Sequence, residues 1–376
     1  MAEAFKNWIN ADLLRTMAKH LTRVHGEFPK ARFVKQATAG LDDLELKARV
    51  VHIADVLADC LPKAFGKAAT VLERSLAPER SDDDLSKLAI CDKGLAGWVI
   101  WPMTDYVARY GLTSPKRALQ ALHALTKRST AEFAIRPFLV EHRELTMATL
   151  QKWVGDKSPH VRRLVSEGSR PRLPWGLQLK HLIEDPEPTL PLLAQLQDDE
   201  SEYVRRSVAN HLNDIAKDHP GLVAAWLEEH LPDASKERRA LLKHASRTLI
   251  KRGDQRILKA WGMAGSLRGD VTFAIKPQKA AVGESVTLHV DLASTAKKPQ
   301  QLSIDYVVHH VKKGGTTSAK TWKGWQFVLK PGEQRSLTKS HSLRAVTTRR
   351  DYPGRHKVDL MINGKVVANS AFVLRA

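Results

Sequence analysis

Asp156-Lys157-Ser158-Pro159-His160-Val161-Arg162-Arg163-Leu164-Val165-Ser166-Glu167 and Asp199-Glu200-Ser201-Glu202-Tyr203-Val204-Arg205-Arg206-Ser207-Val208-Ala209-Asn210 are near-copies of one another, set 43 residues apart. A period in the low forties is that of HEAT-type helix pairs, which stack into a solenoid with one concave surface. Charges on that surface are the first place to look for function. In the first copy Val161, Leu164 and Val165 form an apolar stripe, with Arg163 and Glu167 well round from it and one turn apart. In the second the stripe is Val204, Val208, Leu212 and Ile215, and Arg206, Asn210 and Asp214 share the phase of Arg163 and Glu167. Stacking would put Glu167 and Asp214 on adjacent helices of one surface, among arginines. On spacing alone the plainer reading is preferred: Arg163 and Glu167 as an i,i+4 pair on a wet helix, worth about 0.3 kcal/mol.

The helical pattern runs from the start to about Trp261, with apolar residues at three and four spacing and breaks at Pro, Gly or Asp-Ser. Leu44, Leu46, Ala48, Val51, Ile53, Ala54 and Leu57 illustrate one such helix, ended by Leu61-Pro62, and Pro78 to Asp84 reads as an exposed acidic connection. Past Gly269 the period becomes two. Val286, Leu288, Val290 and Leu292 alternate with Thr287, His289 and Asp291, and Leu302, Ile304, Tyr306 and Val308 with Ser303, Asp305 and Val307. Val358, Leu360 and Ile362 lead into Asn363-Gly364, a type I′ hairpin signal, before a last strand from Val366 to Leu374. The expectation is an all-α HEAT-like repeat solenoid over residues 1–265, then an all-β immunoglobulin-like sandwich over 269–376.

The 376 residues include 60 Lys plus Arg against 41 Asp plus Glu, a formal net charge of +19. That balance favours a polyanionic partner, most simply nucleic acid, over a merely basic soluble protein. From Arg268 onward 19 Lys or Arg face 7 Asp or Glu, so most of the excess lies in the β-domain. Lys312, Lys313, Lys320, Lys323, Arg349, Arg350, Arg355 and Lys357 fall largely in turns, alongside Trp322 and Trp325. Basic loops interleaved with aromatics suit phosphate contact; the competing reading is a solvated sandwich with two core tryptophans. Cys60 and Cys91 form no CxxC pair, which excludes a disulfide framework and a cysteine-rich zinc site. The start lacks the apolar core of a signal peptide, and no apolar run approaches about 20 residues, so a soluble intracellular protein is expected. His309 and His310 point to opposite faces of a strand, no nucleotide-binding or hydrolase motif occurs, and neither metal nor cofactor is expected.

Between the repeats, Glu167-Gly168-Ser169-Arg170-Pro171-Arg172-Leu173-Pro174-Trp175 cannot continue a helix. It reads as an ordered loop that either presents Trp175 on the concave surface or plugs the repeat junction with it. Earlier, Thr130-Ala131-Glu132-Phe133-Ala134-Ile135-Arg136-Pro137-Phe138-Leu139 places Glu132 at a helix start, where a carboxylate complements the dipole, with Phe133, Ile135 and Phe138 as core.

These strings, together with Val161 to Gly168 and Tyr203 to Asp214, resemble the HEAT-like-repeat DNA alkylation repair glycosylases, and more narrowly their AlkC branch with a C-terminal immunoglobulin-like domain. The resemblance implies monofunctional hydrolysis of the N-glycosidic bond of cationic N3-methyladenine and N3-methylcytosine without full base flipping. It implies no cofactor or metal, double-stranded DNA containing alkylated bases as partner, no membrane, a monomer, and a place in the bacterial cytosol beside the nucleoid. Carried over by motif, the catalytic residues are Asp214, Glu132, Trp175 and Glu167. Arg163, Phe133, Arg162, Arg206, Arg170 and Arg172 are carried as DNA contacts, Arg163 entering the duplex gap, and Lys312, Lys313, Arg349 and Arg350 join them on the charge of the β-domain loops. A cationic leaving group needs no general acid, so a carboxylate near C1′, assigned to Asp214, has only to stabilise an oxocarbenium-like sugar and position water. Against the enzyme stand a non-catalytic scaffold for damaged nucleic acid and a protein-binding adaptor; carboxylates on a DNA-facing surface weaken phosphate affinity and so argue for chemistry.

Overall fold

The computed structural model describes residues 5–80, 82–263, 265–345 and 350–375. The chain is helical through Ala260 and then becomes a sheet domain from Gly269, the all-α then all-β order expected from the periodicities. It divides into two compact units: residues 1–218 with 235–245, and residues 219–234 with 246–376. The helices Pro220–His230, Arg247–Arg252 and Gln255–Ala260 thus belong with the strands, although their sequence pattern is that of the helical part.

In the first unit both repeat copies are helices, Pro159–Gly168 and Glu202–Asp218. The first packs on the second, and the second on Lys236–Ala245, so the 43-residue period is a stacking period. Pro159 begins its helix at the first turn, where a missing N–H costs nothing. The predicted stripes are buried: Val161, Leu164 and Val165 in one helix, Val204, Val208, Leu212 and Ile215 in the other. One sequence reading is corrected in helix Leu46–Cys60, where Val51 is 36 % exposed and Arg49 is 2 % exposed. The Arg49 guanidinium explains the rotation: it donates to the carbonyls of Leu44, Lys6 and Ile9 at 2.8–3.0 Å and ties the N-terminal turn to this helix.

In the second unit, β1 (Gly269–Lys276), β3 (Ser285–Ser294) and β6 (Gln334–Ser342) form one antiparallel sheet. The other runs β2 (Lys279–Ala280), β8 (Lys365–Leu374), β7 (Gly354–Ile362), β4 (Gln300–Val311), β5 (Thr317–Leu329). Between them lie Val286, Leu288, Tyr306, Val308, Val358 and Phe372 at one end, and Val290, Leu292, Leu302, Ile304, Leu360 and Ile362 at the other. Asn363 and Gly364 have φ of 50° and 78°, the type I′ turn their sequence predicts. Gly364 also meets Gly253 backbone to backbone: a methyl on either would lie 2.5–2.7 Å from the other's Cα. Among the described residues, no helix is long and apolar enough to cross a membrane.

Candidate active site

Each repeat helix begins with two arginines, and they part company. The first of each pair closes its own helix N-terminus: Arg162 donates to the carbonyls of Asp156 and Lys157 at 2.9 and 3.1 Å, Arg205 to those of Asp199 and Glu200 at 2.5 and 2.9 Å. Arg162 is further held by Asp199 at 2.6 and 2.9 Å and is buried. The second of each pair is Arg163, which turns inward, and Arg206, which is exposed.

Arg163 begins a ladder of alternating charge. Its Nη1 donates to Glu132 Oε2 at 2.5 Å, and its Nη2 lies 3.7 Å from Glu167 Oε1. Arg170 donates to that same Glu167 oxygen at 2.7 Å and to Asp214 Oδ2 at 2.8 Å, while Lys217 reaches Asp214 Oδ1 at 2.7 Å. Ser207 donates to Glu167 Oε2 at 2.6 Å. The three carboxylates expected at the site are therefore joined through two arginines. Glu167 and Asp214 are 6 % and 1 % exposed, so their pairing is not that of a wet helix surface. Burial alone would raise the Glu167 carboxyl, but Arg163 and Arg170 outweigh it and hold it below the usual range. Burial likewise opposes charge on Arg163, yet Glu132, Tyr203 and Glu167 keep it more basic than an ordinary arginine.

Glu132 differs from the other two. It sits in the turn before helix Arg136–Glu141, not within the helix start, and Thr130 and Arg163 both bind its Oε2. Among the described residues no donor reaches its Oε1, which leaves that oxygen for a water or a sugar. Glu132 stands in the wall of a cleft of about 750 Å³ with Trp98, Trp101, Phe133 and Trp175. Phe133 is half-buried and stacks on Trp101 with centroids 5.4 Å apart, whereas Ile135 and Phe138 are core as expected. Trp175 is 65 % exposed with φ of 65°, in the left-handed region, so it is presented by its loop and does not plug a junction.

That loop is held from beneath by Arg136, which is fully buried. It donates to the carbonyls of Gly168 at 2.8 Å, Pro171 at 3.5 Å and Leu177, both ends of the segment carrying Trp175. Burial, with Arg170 nearby, lowers the Arg136 pKa to about 10, still charged at neutral pH. From above, Lys47 donates to the Trp175 carbonyl and lies 5.9 Å over the Phe133 ring. Arg136, Lys47, Trp101 and Tyr203, whose ring lies 4.8 Å under Arg163, were not singled out from sequence. For Arg136 the available signal was its place between Ile135 and Pro137 in an apolar stretch, since a buried guanidinium must have acceptors.

The remaining expected contacts are dispersed. Arg172 pairs with Asp218 at 2.7 and 2.9 Å, half-exposed. Lys312 and Lys313 are exposed in the β4–β5 turn, and Arg350 is exposed with its guanidinium 5.6 Å from the Tyr352 ring. Arg349 lies outside the described residues. Trp322 and Trp325 pack against the two β-cores, with Lys320 over one ring at 4.4 Å and Lys339 over the other at 5.9 Å.

A family profile described as DNA alkylation repair enzyme matches residues 127–249, and one described as the C-terminal Ig-like domain of uncharacterised protein YhaZ matches 270–376. The uncharacterized protein YhaZ of Bacillus subtilis (strain 168) is 38 % identical over 371 residues, 96 % of each chain. Among solved structures, the Pseudomonas fluorescens alkylpurine DNA glycosylase AlkC, bound to DNA containing an abasic site analog, superposes with a TM-score of 0.89. It is 36 % identical, over 100 % of both chains.

Proposed function

Because the chain belongs to the AlkC branch of the DNA alkylation repair glycosylases, with a C-terminal immunoglobulin-like domain, we propose that it excises cationic N3-alkylated bases, N3-methyladenine and N3-methylcytosine, from double-stranded DNA as a monofunctional glycosylase. The observation that carries this reading is Glu132: a carboxylate held by Arg163 and Thr130 through one oxygen, in the wall of a cleft it shares with Trp101, Phe133 and Trp175. The positive base needs no protonation. The C1′–N bond breaks, its electron pair neutralises the base, and positive charge develops on the sugar. A water oriented at Glu132 Oε1 adds to C1′ and yields its proton to that carboxylate. Trp175 stacks on the cationic base or meets the sugar through its ring face.

The role first given to Asp214 passes to Glu132 in this reading. Both Asp214 oxygens already hold cations at 2.7 and 2.8 Å, and only the exposed Lys217 can swing away to a phosphate and release one. Asp214 and Glu167 act instead by fixing Arg170 and Arg163, which fix Glu132. Arg162 and Arg170, buried in ion pairs, hold the repeats, which leaves Arg206, Lys217 and Arg172 as the phosphate contacts of the helical unit. Lys312, Lys313 and Arg350 extend that contact in the β-domain.

Incubation with methylated duplex DNA should release free methylated base without added metal. Glu132→Gln should lower the rate about 100-fold or more while DNA affinity persists; a wild-type rate in that variant would remove Glu132 from the reaction. A scaffold would bind DNA and release nothing.

A further inference from the structure

The Phe133 ring already carries a cation. Lys47 Nζ lies 5.9 Å from its centroid, within cation–π range, and the same ammonium donates to the Trp175 carbonyl. Phe133 and Trp175 wall the place that the glycosylase reading gives to a cationic base, so two positive charges compete for it. They repel, and Lys47, exposed on a flexible stem, is the one that can move. A cavity of about 220 Å³ beside these rings offers it a destination. Lys47, Trp101, Phe133 and Trp175 all line it, and the one carboxylate in that lining is Asp105. Asp105 follows Trp101 by one turn of helix Ile100–Tyr110, which sets both on one face. Its Oδ2 is shut off from solvent and accepts no hydrogen bond from any described residue. Arg109 Nε stands 3.3 Å away without making one, and Nη1 of that guanidinium donates to Asp55 instead. A shielded carboxylate short of donors is costly. Burial raises the Asp105 carboxyl above the usual carboxylate range, Asp55 adding to the rise and Arg109 and Lys47 opposing it. An ammonium is the group that relieves it.

Resting on the glycosylase reading above, we infer that Lys47 is a displaceable stand-in for the cationic base, and that Asp105 is the positioning residue that accepts it when the base arrives. In the free protein Lys47 covers Phe133 and holds the Trp175 carbonyl. A cationic base stacking on these rings replaces one positive charge by another. The cation–π contact is kept, while Lys47 swings within the shared cavity and pairs with Asp105. A neutral base displaces the ammonium and returns no cation to the rings, so it enters at a disadvantage. The pair thus selects for charge before the C1′–N bond breaks, and takes no part in breaking it.

The test uses the full chain and duplex DNA methylated at adenine N3, with base release followed at saturating enzyme. Asp105→Asn, of the same shape, should slow release about tenfold while DNA affinity holds. Asp105→Glu should bring the rate back to within about threefold of the wild type. Adding Lys47→Met to Asp105→Asn should restore most of the rate as well, because no ammonium then has to move; an aspartate of merely structural role is not rescued by removing a lysine. A wild-type rate in Asp105→Asn, a slow Asp105→Glu, or a double variant as slow as the single one overturns the inference. A second measurement does not depend on the folding of these variants. In Glu132→Gln, which keeps its substrate intact, a carbodiimide should cross-link Lys47 to Asp105 about threefold more with methylated than with unmethylated duplex, as quantified by peptide mass spectrometry. Equal yields overturn it too. If the wild type releases no base, the glycosylase reading fails and this inference with it; every other failure leaves that reading standing.

Discussion

Arg136 makes no contact with any group expected to touch DNA, yet it determines where Trp175 stands. Three carbonyls from both ends of the tryptophan's loop converge on one guanidinium, a geometry that an ammonium cannot reproduce. Arg136→Lys should therefore fold but lose base release by about tenfold, mainly in kcat, because a misplaced stacking ring costs orientation more than binding. The intrinsic fluorescence of the variant should report the shift of Trp175, and an unchanged kcat would remove Arg136 from the site. Asp214→Asn is a different kind of change. It leaves the buried Arg170 with Glu167 as its remaining carboxylate, so a stability loss of about 2 kcal/mol should accompany a fall in activity; denaturant unfolding measures the first independently of the second. His211 lies beneath the same ladder, fully buried, with its Nδ1 against the Ser166 carbonyl at 3.0 Å. Burial, against the pull of Asp214, lowers its pKa from 6.5 to about 4. The unfolded chain then takes up a proton that the folded one refuses. The stability due to His211 is complete above pH 6.5 and declines by about 3 kcal/mol as pH falls towards 4. A plot of denaturant midpoint against pH should flatten over that window in His211→Gln.

Among the elements, the strands were more legible than the helix faces. Alternation in β3 marked the buried residues correctly because a sheet's period of two leaves little latitude of phase, whereas in β4 it found Leu302, Ile304, Tyr306 and Val308 but not Ser303 and Asp305, which are buried on the other face. Helix Leu46–Cys60 was misread by one position because a buried arginine takes an apolar place there, and no periodicity anticipates that Arg49 has three carbonyls waiting for it. Glu167 and Asp214 were legible as a shared helix phase; Glu132, in a turn, was not. Their burial was not, since it depends on Arg170, which enters from a loop. Nor was the aromatic cleft, whose rings come from segments as far apart as Phe5 and Trp175. Trp322 and Trp325 show how a local irregularity changes a reading. They are three residues apart and would face opposite ways in a regular strand, but the register of β5 against β4 slips between Ile304 and Asp305, opposite Gly324. Both rings accordingly pack on the cores, and their cations lie outside them. The hairpin tip offers a sharper prediction: Gly364→Ala places a methyl 2.5 Å from the Gly253 Cα at a φ of 78°. It should cost about 2 kcal/mol, read as a lower thermal midpoint, with base release untouched at low temperature.

For the molecule as a whole, net charge of +19 and the basic excess of the β-domain make DNA affinity a function of salt. Replacing Lys312, Lys313 and Arg350 together by Ala should lower the slope of log affinity against log salt by about 0.9 for each phosphate no longer neutralised, with the rate of base release at saturating enzyme unchanged. A slope equal to that of the wild type would confine DNA binding to the helical unit. Truncation at Gly269 is a poorer version of this experiment, because the cut falls inside the second compact unit and strips helices Pro220–His230, Arg247–Arg252 and Gln255–Ala260 of the strands they belong with.

The order in which the backbone visits its two units has a consequence for inheritance. The chain quits the first unit at Asp218, comes back for Ser235–Ala245 to add one more stacked helix, and departs again. No single break in the polypeptide, and no single crossover in its gene, can part the two halves cleanly. A recombination that swapped the terminal portion alone would carry off or strand helices belonging to the other half.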